Sequence, residues 1–303
     1  MPGIRIARLW IPGQGTGVAV CDGSDVRLLT SAAGAPVASF DALVVAAGGG
    51  APGRIHETVR RMAERGPVYP YTDLDRAPDP ARPHLLAPVA PAEVWAAGVT
   101  YERSREARLA ETTTTGIYDK VYDAERAEVF FKATASRCAG PNAPVGVRAD
   151  SRWTVPEPEL AVVLDGDGAV LGYTLGNDMS ARDIEGENPL YLPQAKVYRA
   201  CCGLGPVILV TDEPVERRLT LRCRILRGGR EVVRGEVSTA RLHRSIQELV
   251  ACLRRANDVP AMTVLLTGTG IVPPDDFACE EGDVIEIGAD EIGVLRNPAV
   301  RVA

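Results

Sequence analysis

The sequence predicts an α+β chain that is mainly β. Short apolar or alternating runs bounded by glycine turns recur along it, and no regular β-α-β alternation links them, which excludes a doubly wound parallel sheet. ELAVVLD and AVLGYTLGND flank the turn Asp165-Gly166-Asp167-Gly168 as a hairpin. Amphipathic helical periodicity is clearest in two segments, HETVRRMAERG and HRSIQELVACLRRAN.

The chain divides by pattern. Residues 1–65 read as a small α/β unit: IRIARLW, GVAVCD and DVRLLT are short strands, and HETVRRMAERG is a helix with a glycine stop. Residues 66–91 carry seven prolines and read as an extended connector. Residues 92–303 form the main domain. There VWAAGVTY and EVFFKA are strands, and ERSREARLAE and IYDKVYDAERAE are polar segments of helical type. VILVT, LTLRCRILRGG, REVVRGEVST, TVLLTGTG, GDVIEIGAD and IGVLRN complete the strands.

Composition narrows the function. The 303 residues are 46% hydrophobic and 24% charged, which is globular rather than disordered. A net charge of −6, from 34 basic and 40 acidic side chains, argues against nucleic acid as a partner. No apolar run reaches the ~20 residues that span a bilayer, and MPGIRIARLW has no secretion-signal pattern, so a cytoplasmic protein is expected. Seven scattered cysteines without a C-x-x-C pair read as small buried residues in a reducing compartment. Three histidines without H-E-x-x-H spacing leave a hard, oxygen-ligated ion as the expected metal. The chain has 31 arginines but only Lys120, Lys132 and Lys196 as lysines. An amine can be tuned towards neutrality and a guanidinium cannot, which draws attention to those three.

Three constellations can carry chemistry. Glu157-Pro158-Glu159 in an extended segment presents two carboxylates on one face, and Asp178 at the end of the hairpin brings a third. Like charges so close call for a proton or a cation, and three carboxylates suit Mg²⁺, with Mn²⁺ or Ca²⁺ using the same ligands. Alone, E-x-E is also the pattern of a solvated acidic turn. The stretch from Asn177 to Asn188, followed by Lys196, concentrates charged groups. Arg182 can clamp a carboxylate, and a lysine beside a metal can move a proton. An ion-paired surface loop has the same composition. Thr267-Gly268-Thr269-Gly270 ends a strand in small residues, allowing close approach of a ligand that Thr269 can bind. Thr112–Thr115 reads as a loop able to act as a lid.

In this order the three pieces resemble the fumarylacetoacetate hydrolase superfamily. The resemblance runs from about Val94 to Asn297 and rests on VWAAGVTY, VFFKA, PEPELAVVL, GYTLGNDMSARD, Lys196, Gly205-Pro206, LLTGTG, GDVIEI and IGVLRN. It implies a mixed β-roll catalytic domain with a small N-terminal α/β domain, assembled as a homodimer or dimer of dimers. It also implies a divalent metal on Glu157, Glu159 and Asp178, substrate contacts from Arg182 and Thr269, and Lys196 in catalysis. Hydrolytic members carry N-Y-x-x-H-x-x-E after the first strand of this domain. Here those histidine and glutamate positions are Ser104 and Ala107, which removes the usual water-activating dyad.

Residues 118–133 and Ile184–Tyr198 are similar to the 2-keto-3-deoxy-D-arabinonate dehydratase branch. The expected activity is therefore a metal-dependent hydro-lyase on a 2-keto-3-deoxy sugar acid, giving 2,5-dioxopentanoate through a metal-stabilised enolate. Lys196 is the expected proton-transfer group, Glu187 and Glu106 are candidates for the second proton, and Lys132 is a candidate pocket residue or, equally, a member of a structural ion pair. The alternatives are an acylpyruvate or fumarylacetoacetate-type C–C hydrolase and a β-keto-acid decarboxylase.

Overall fold

The computed structural model describes residues 3–104, 121–215 and 218–303. Of the segment 102–111, expected from the sequence to be helical, residues 102–104 are described; Glu106, Ala107, Thr112–Thr115 and Lys120 lie outside the described residues.

The N-terminal strands are β1 (Ile4–Ile11), β2 (Gly15–Asp22) and β3 (Asp25–Leu28). They are followed by helices α1 (Phe40–Ala46) and α2 (Pro52–Ala63). Helix α1 is absent from the sequence reading; its start is fixed by Ser39, whose side chain accepts from Ala42 N. Helix α2 begins four residues before HETVRRMAERG, with proline in its first turn and no backbone donor lost. The proline-rich stretch does more than cross the surface. It holds β4 (Val68–Pro70), the single-turn helix α3 (Tyr71–Leu74) and β5 (His84–Leu86). Strand β4 pairs with β3 and β5 with β1; Pro70 stands at the end of β4, opposite Asp25.

The remaining strands are β6 (Val94–Ala97), β7 (Val129–Ala133), β8 (Cys138–Ala139), β9 (Val145–Arg148), β10 (Thr154–Val155), β11 (Pro158–Leu164), β12 (Val170–Asp178) and β13 (Ser180–Ala181), then β14 (Cys202–Val210), β15 (Thr220–Arg227), β16 (Arg230–Ser238), β17 (Thr263–Thr269), β18 (Val284–Ala289) and β19 (Gly293–Val302). Two short helices, α4 (Arg182–Glu187) and α5 (Leu192–Lys196), precede β14. Helix α6 (Ile246–Arg254) starts in a capping box made by Ser245 and Glu248.

A twelve-stranded sheet runs β4-β3-β2-β1-β14-β12-β11-β17-β6-β7, with β5 on β1 and β8 on β14. The antiparallel pairing of β1 with β14 joins the N-terminal strands to this sheet. A second sheet, β16-β15-β18-β19-β9, packs against it, and β10 pairs with β13. Strands β11, β14 and β17 are buried along their whole length. They read as continuous apolar runs because both faces are covered. Strand β15 alternates buried and exposed, as befits one solvated face. The sheets meet closely: a methyl group on Gly203 would lie 2.5 Å from Asn297 Oδ1. Among the described residues, no helix is long and apolar enough to cross a membrane.

Candidate active site

The hairpin β11–β12 builds the acidic centre. Its register pairs Pro158 with Asn177 and Glu159 with Gly176. One step before the hairpin, Glu157 N donates to Asp178 O at 3.1 Å and Asp178 N to Glu157 O at 3.0 Å. That reciprocal pair fixes Glu157 opposite Asp178, and two-residue periodicity puts Glu159 on the same face. The carboxylate oxygens of Glu157, Glu159 and Asp178 lie within 4.8 Å of one another, and all three residues are buried.

Three cations surround them. Lys196 Nζ, from the end of α5, donates to Glu157 Oε2 at 2.9 Å, Asp178 Oδ2 at 3.2 Å and Ser180 Oγ at 2.5 Å. Arg182, opening α4, places its guanidinium 3.1 Å from Glu157 Oε1. Lys132, from β7, lies 2.5 Å from Asp178 Oδ1 and donates to Met179 O at 2.8 Å and Lys196 O at 2.5 Å. Burial works against the Lys132 charge, and the Asp178 carboxylate outweighs it, so the ammonium is held above its ordinary value.

Glu159 differs from its neighbours. Its carboxylate accepts from Gly268 N at 2.5 Å and has no ion-pair partner among the described residues. Burial, then the charges of Asp178 and Glu157, push its carboxyl well above the usual range. The cluster therefore lacks positive charge on the Glu159 side. Its donors are hard oxygens, so a divalent ion such as Mg²⁺ fits both the charge and the chemistry.

A small cavity of about 20 Å³ opens beside the cluster; Glu157, Lys196, Thr269, Ser104, Glu128 and Glu185 are among its walls. A wider one of about 290 Å³, lined in part by Arg126, Pro189 and Leu192, shares Glu128 and Glu185 with it. A cavity of about 640 Å³ lies on the second sheet away from this cluster. Ion pairs cross its walls, among them Arg222 with Asp290 and Arg224 with Glu286.

The structure thus brings together Glu157, Glu159, Asp178, Arg182, Lys196 and Thr269. Two expectations need correction. Lys132 does not face the cavity; it is fully buried, and its three N–H groups point at Asp178, Met179 and Lys196, leaving none for a substrate. Glu187 is exposed at the end of α4, and the buried carboxylate of that helix is Glu185. Arg182 and Glu185 are three residues apart and share a helix face, a spacing that marks Glu185 in the sequence. Glu128 was also missed; it stands two residues before Phe130, another wall residue, on an extended segment. Ser104 is no substitute base: its hydroxyl donates to Tyr101 O at 2.7 Å and accepts from Tyr101 N at 3.2 Å, closing a turn.

Comparison with known proteins agrees with this geometry. The model of the fumarylacetoacetate (FAA) hydrolase C-terminal family matches residues 93–300. A 2-dehydro-3-deoxy-D-arabinonate dehydratase from Saccharolobus solfataricus is 49% identical over 221 residues, 71% of this chain and 74% of that one. A probable 2-keto-3-deoxyxylonate dehydratase from Haloferax volcanii is 49% identical over 221 residues, 72% of this chain and 76% of its own length. The structure of a 2-keto-3-deoxy-D-arabinonate dehydratase complexed with magnesium and 2,5-dioxopentanoate superposes with a TM-score of 0.80 at 36% identity, covering 98% of this chain and 99% of that one. With the hairpin-borne carboxylates, the lysine that contacts them and a family match spanning the whole main domain, the chain belongs to the fumarylacetoacetate hydrolase C-terminal family.

Proposed function

We propose that this chain is a divalent-metal-dependent hydro-lyase that converts 2-keto-3-deoxy-D-arabinonate to 2,5-dioxopentanoate. The observation that carries the reading is the buried Glu157–Glu159–Asp178 cluster with Lys196 against it, in a chain 49% identical to a dehydratase of that name. Glu157, Glu159 and Asp178 hold the ion, with Mg²⁺ as first choice and Mn²⁺ or Ca²⁺ using the same oxygens. When bound, it supplies Lewis-acid polarisation of a 2-keto acid and so acidifies the protons on C3.

The chain's own groups do the rest. Arg182 orients the keto-acid end, and Thr269, whose hydroxyl donates to Ile271 O at 3.1 Å and accepts from Ile271 N at 3.2 Å, borders it from the cavity wall. Lys196 Nζ serves the C3 proton. Loss of that proton and of the C4 hydroxyl as water gives an alkene conjugated to the keto group. Loss of a C5 proton and return of one to C3 then give an enol across C4 and C5, and transfer of its hydroxyl proton to C4 leaves the aldehyde at C5. The proton for the departing hydroxyl falls to Glu128 or Glu185, the two carboxylates on the walls of both cavities. Lys132 braces Asp178 and Lys196 and touches no substrate.

The missing histidine–glutamate pair counts against the hydrolase and decarboxylase alternatives, since Ser104 is committed to its own turn. A cytoplasmic homodimer or dimer of dimers completes the reading, with light scattering as the check on assembly. The deciding experiment offers the purified chain 2-keto-3-deoxy-D-arabinonate with Mg²⁺, with and without EDTA, and follows the product by mass spectrometry. Metal-dependent loss of one water is expected. Cleavage of an acylpyruvate, with the sugar acid untouched, would overturn the assignment.

A further inference from the structure

Two cysteines stand in register on neighbouring strands at the back of the acidic centre. Strand β8 runs parallel to β14 and pairs Cys138 with Cys202. On the other side of β14, Cys202 pairs with Asp178 of β12. Residues paired across a ladder point to the same sheet face, so Cys138, Cys202 and Asp178 form one row across three strands. Neighbouring strands lie about 4.7–4.9 Å apart, inside the Cα separation of about 4.4–6.8 Å that a disulfide accepts. Both cysteines are reduced. Cys202 is fully buried, whereas Cys138 is half-buried at the sheet edge, with its thiol 3.4 Å from Thr134 O.

We propose that Cys138 and Cys202 form an oxidation site: a peroxide converts the pair to a disulfide, and that bond weakens the metal site through Asp178. The accessible Cys138 sulfur attacks the peroxide and becomes a sulfenic acid, releasing one water. The Cys202 sulfur then attacks that sulfenic acid and releases the second. Two thiols lose two electrons and two protons, and one hydrogen peroxide becomes two waters. The new S–S bond of about 2.05 Å draws β8 towards β14 at the rung Asp178 shares. Lys132 links the same two parts, since its ammonium pairs with Asp178 and its backbone carbonyl lies 3.6 Å from Cys201 Sγ.

The test uses the full chain and has readouts besides turnover. Hydrogen peroxide is added, free thiols are counted under denaturing conditions, and non-reduced peptides are mapped. The expected result is a fall from seven free thiols to five with a Cys138–Cys202 linked peptide, and a Mn²⁺ affinity at least tenfold weaker until dithiothreitol restores it. Cys138→Ser should keep Mn²⁺ affinity, form no link and be indifferent to peroxide; Cys202→Ala gives a second variant that cannot cross-link. Seven thiols after treatment, a link elsewhere, or a cross-linked chain that binds Mn²⁺ as before would each overturn the proposal.

Discussion

Three carboxylates lie within 4.8 Å of one another, and among the described residues the cations around them pair with Glu157 and Asp178 but not with Glu159. Glu159 is left with a backbone N–H, and its raised proton affinity reports the charge it lacks. Glu159→Gln should therefore lose at least about 100-fold in Mn²⁺ affinity, more than the loss usual for an outer partner of a ligand, while circular dichroism shows an intact fold. Lys196→Met asks a different question. It should still bind Mn²⁺ in a titration but lose turnover by about 10²–10⁴-fold, the usual share of a proton-transfer group. Normal turnover in that variant would remove Lys196 from the chemistry. Ser104→Ala supplies the contrast: its hydroxyl serves a turn, so stability falls by about 1 kcal/mol and kcat stays within a few-fold. A kcat collapse there would make Ser104 a base after all.

At the scale of elements, the ends of β6 and β17 meet so closely that one residue between them has no room for a side chain. A Cβ on Gly268 would lie 1.9 Å from Thr100 Oγ1 and 2.9 Å from Ala97 O, and its φ of +92° is left-handed. Gly268→Ala should cost about 1–3 kcal/mol in urea unfolding and weaken metal binding, because the N–H it displaces holds Glu159. Gly229 also has positive φ, but nothing lies within 4 Å of its Cβ position. Gly229→Ala should cost only about 1 kcal/mol and leave metal affinity alone. Such pairs show what a sequence carries and what it hides. The β11–β12 hairpin was legible because its turn and apolar runs are local. So was the placement of Glu157, Glu159 and Asp178, which follows from the two-residue period and the hairpin end. Helix α1 was not, since FDALVVA is short and lacks a polar face, with Ser39 as its one signal. Glu187 was preferred to Glu185 because composition gives no helix phase; only the pairing with Arg182 sets it. For Lys132 the sequence leaves a pocket position and a structural ion pair equally open, because its three acceptors lie far off along the chain; the structure shows the ion pair.

On the scale of the molecule, the site exists only when distant strands meet. Glu157, Glu159 and Asp178 come from one hairpin, but Lys132 comes from β7, Lys196 from the helix before β14, and the Gly268 N–H from β17. An unfolded chain has none of these neighbours and cannot hold a divalent ion with comparable affinity. Binding to the native state alone adds RT ln(1 + [L]/Kd) to stability, about 2.7 kcal/mol at one hundred times Kd. Mg²⁺ at that level should therefore raise the thermal midpoint by several degrees, and EDTA should reverse it. Asp178→Asn should abolish the shift, because it removes one of the three ligand charges without changing side-chain volume. If Asp178→Asn and the parent chain gained equally from Mg²⁺, the ion would be acting elsewhere on the surface. The buried Glu159 carboxylate, which the surrounding cations leave without an ion pair among the described residues, would then need another source of positive charge.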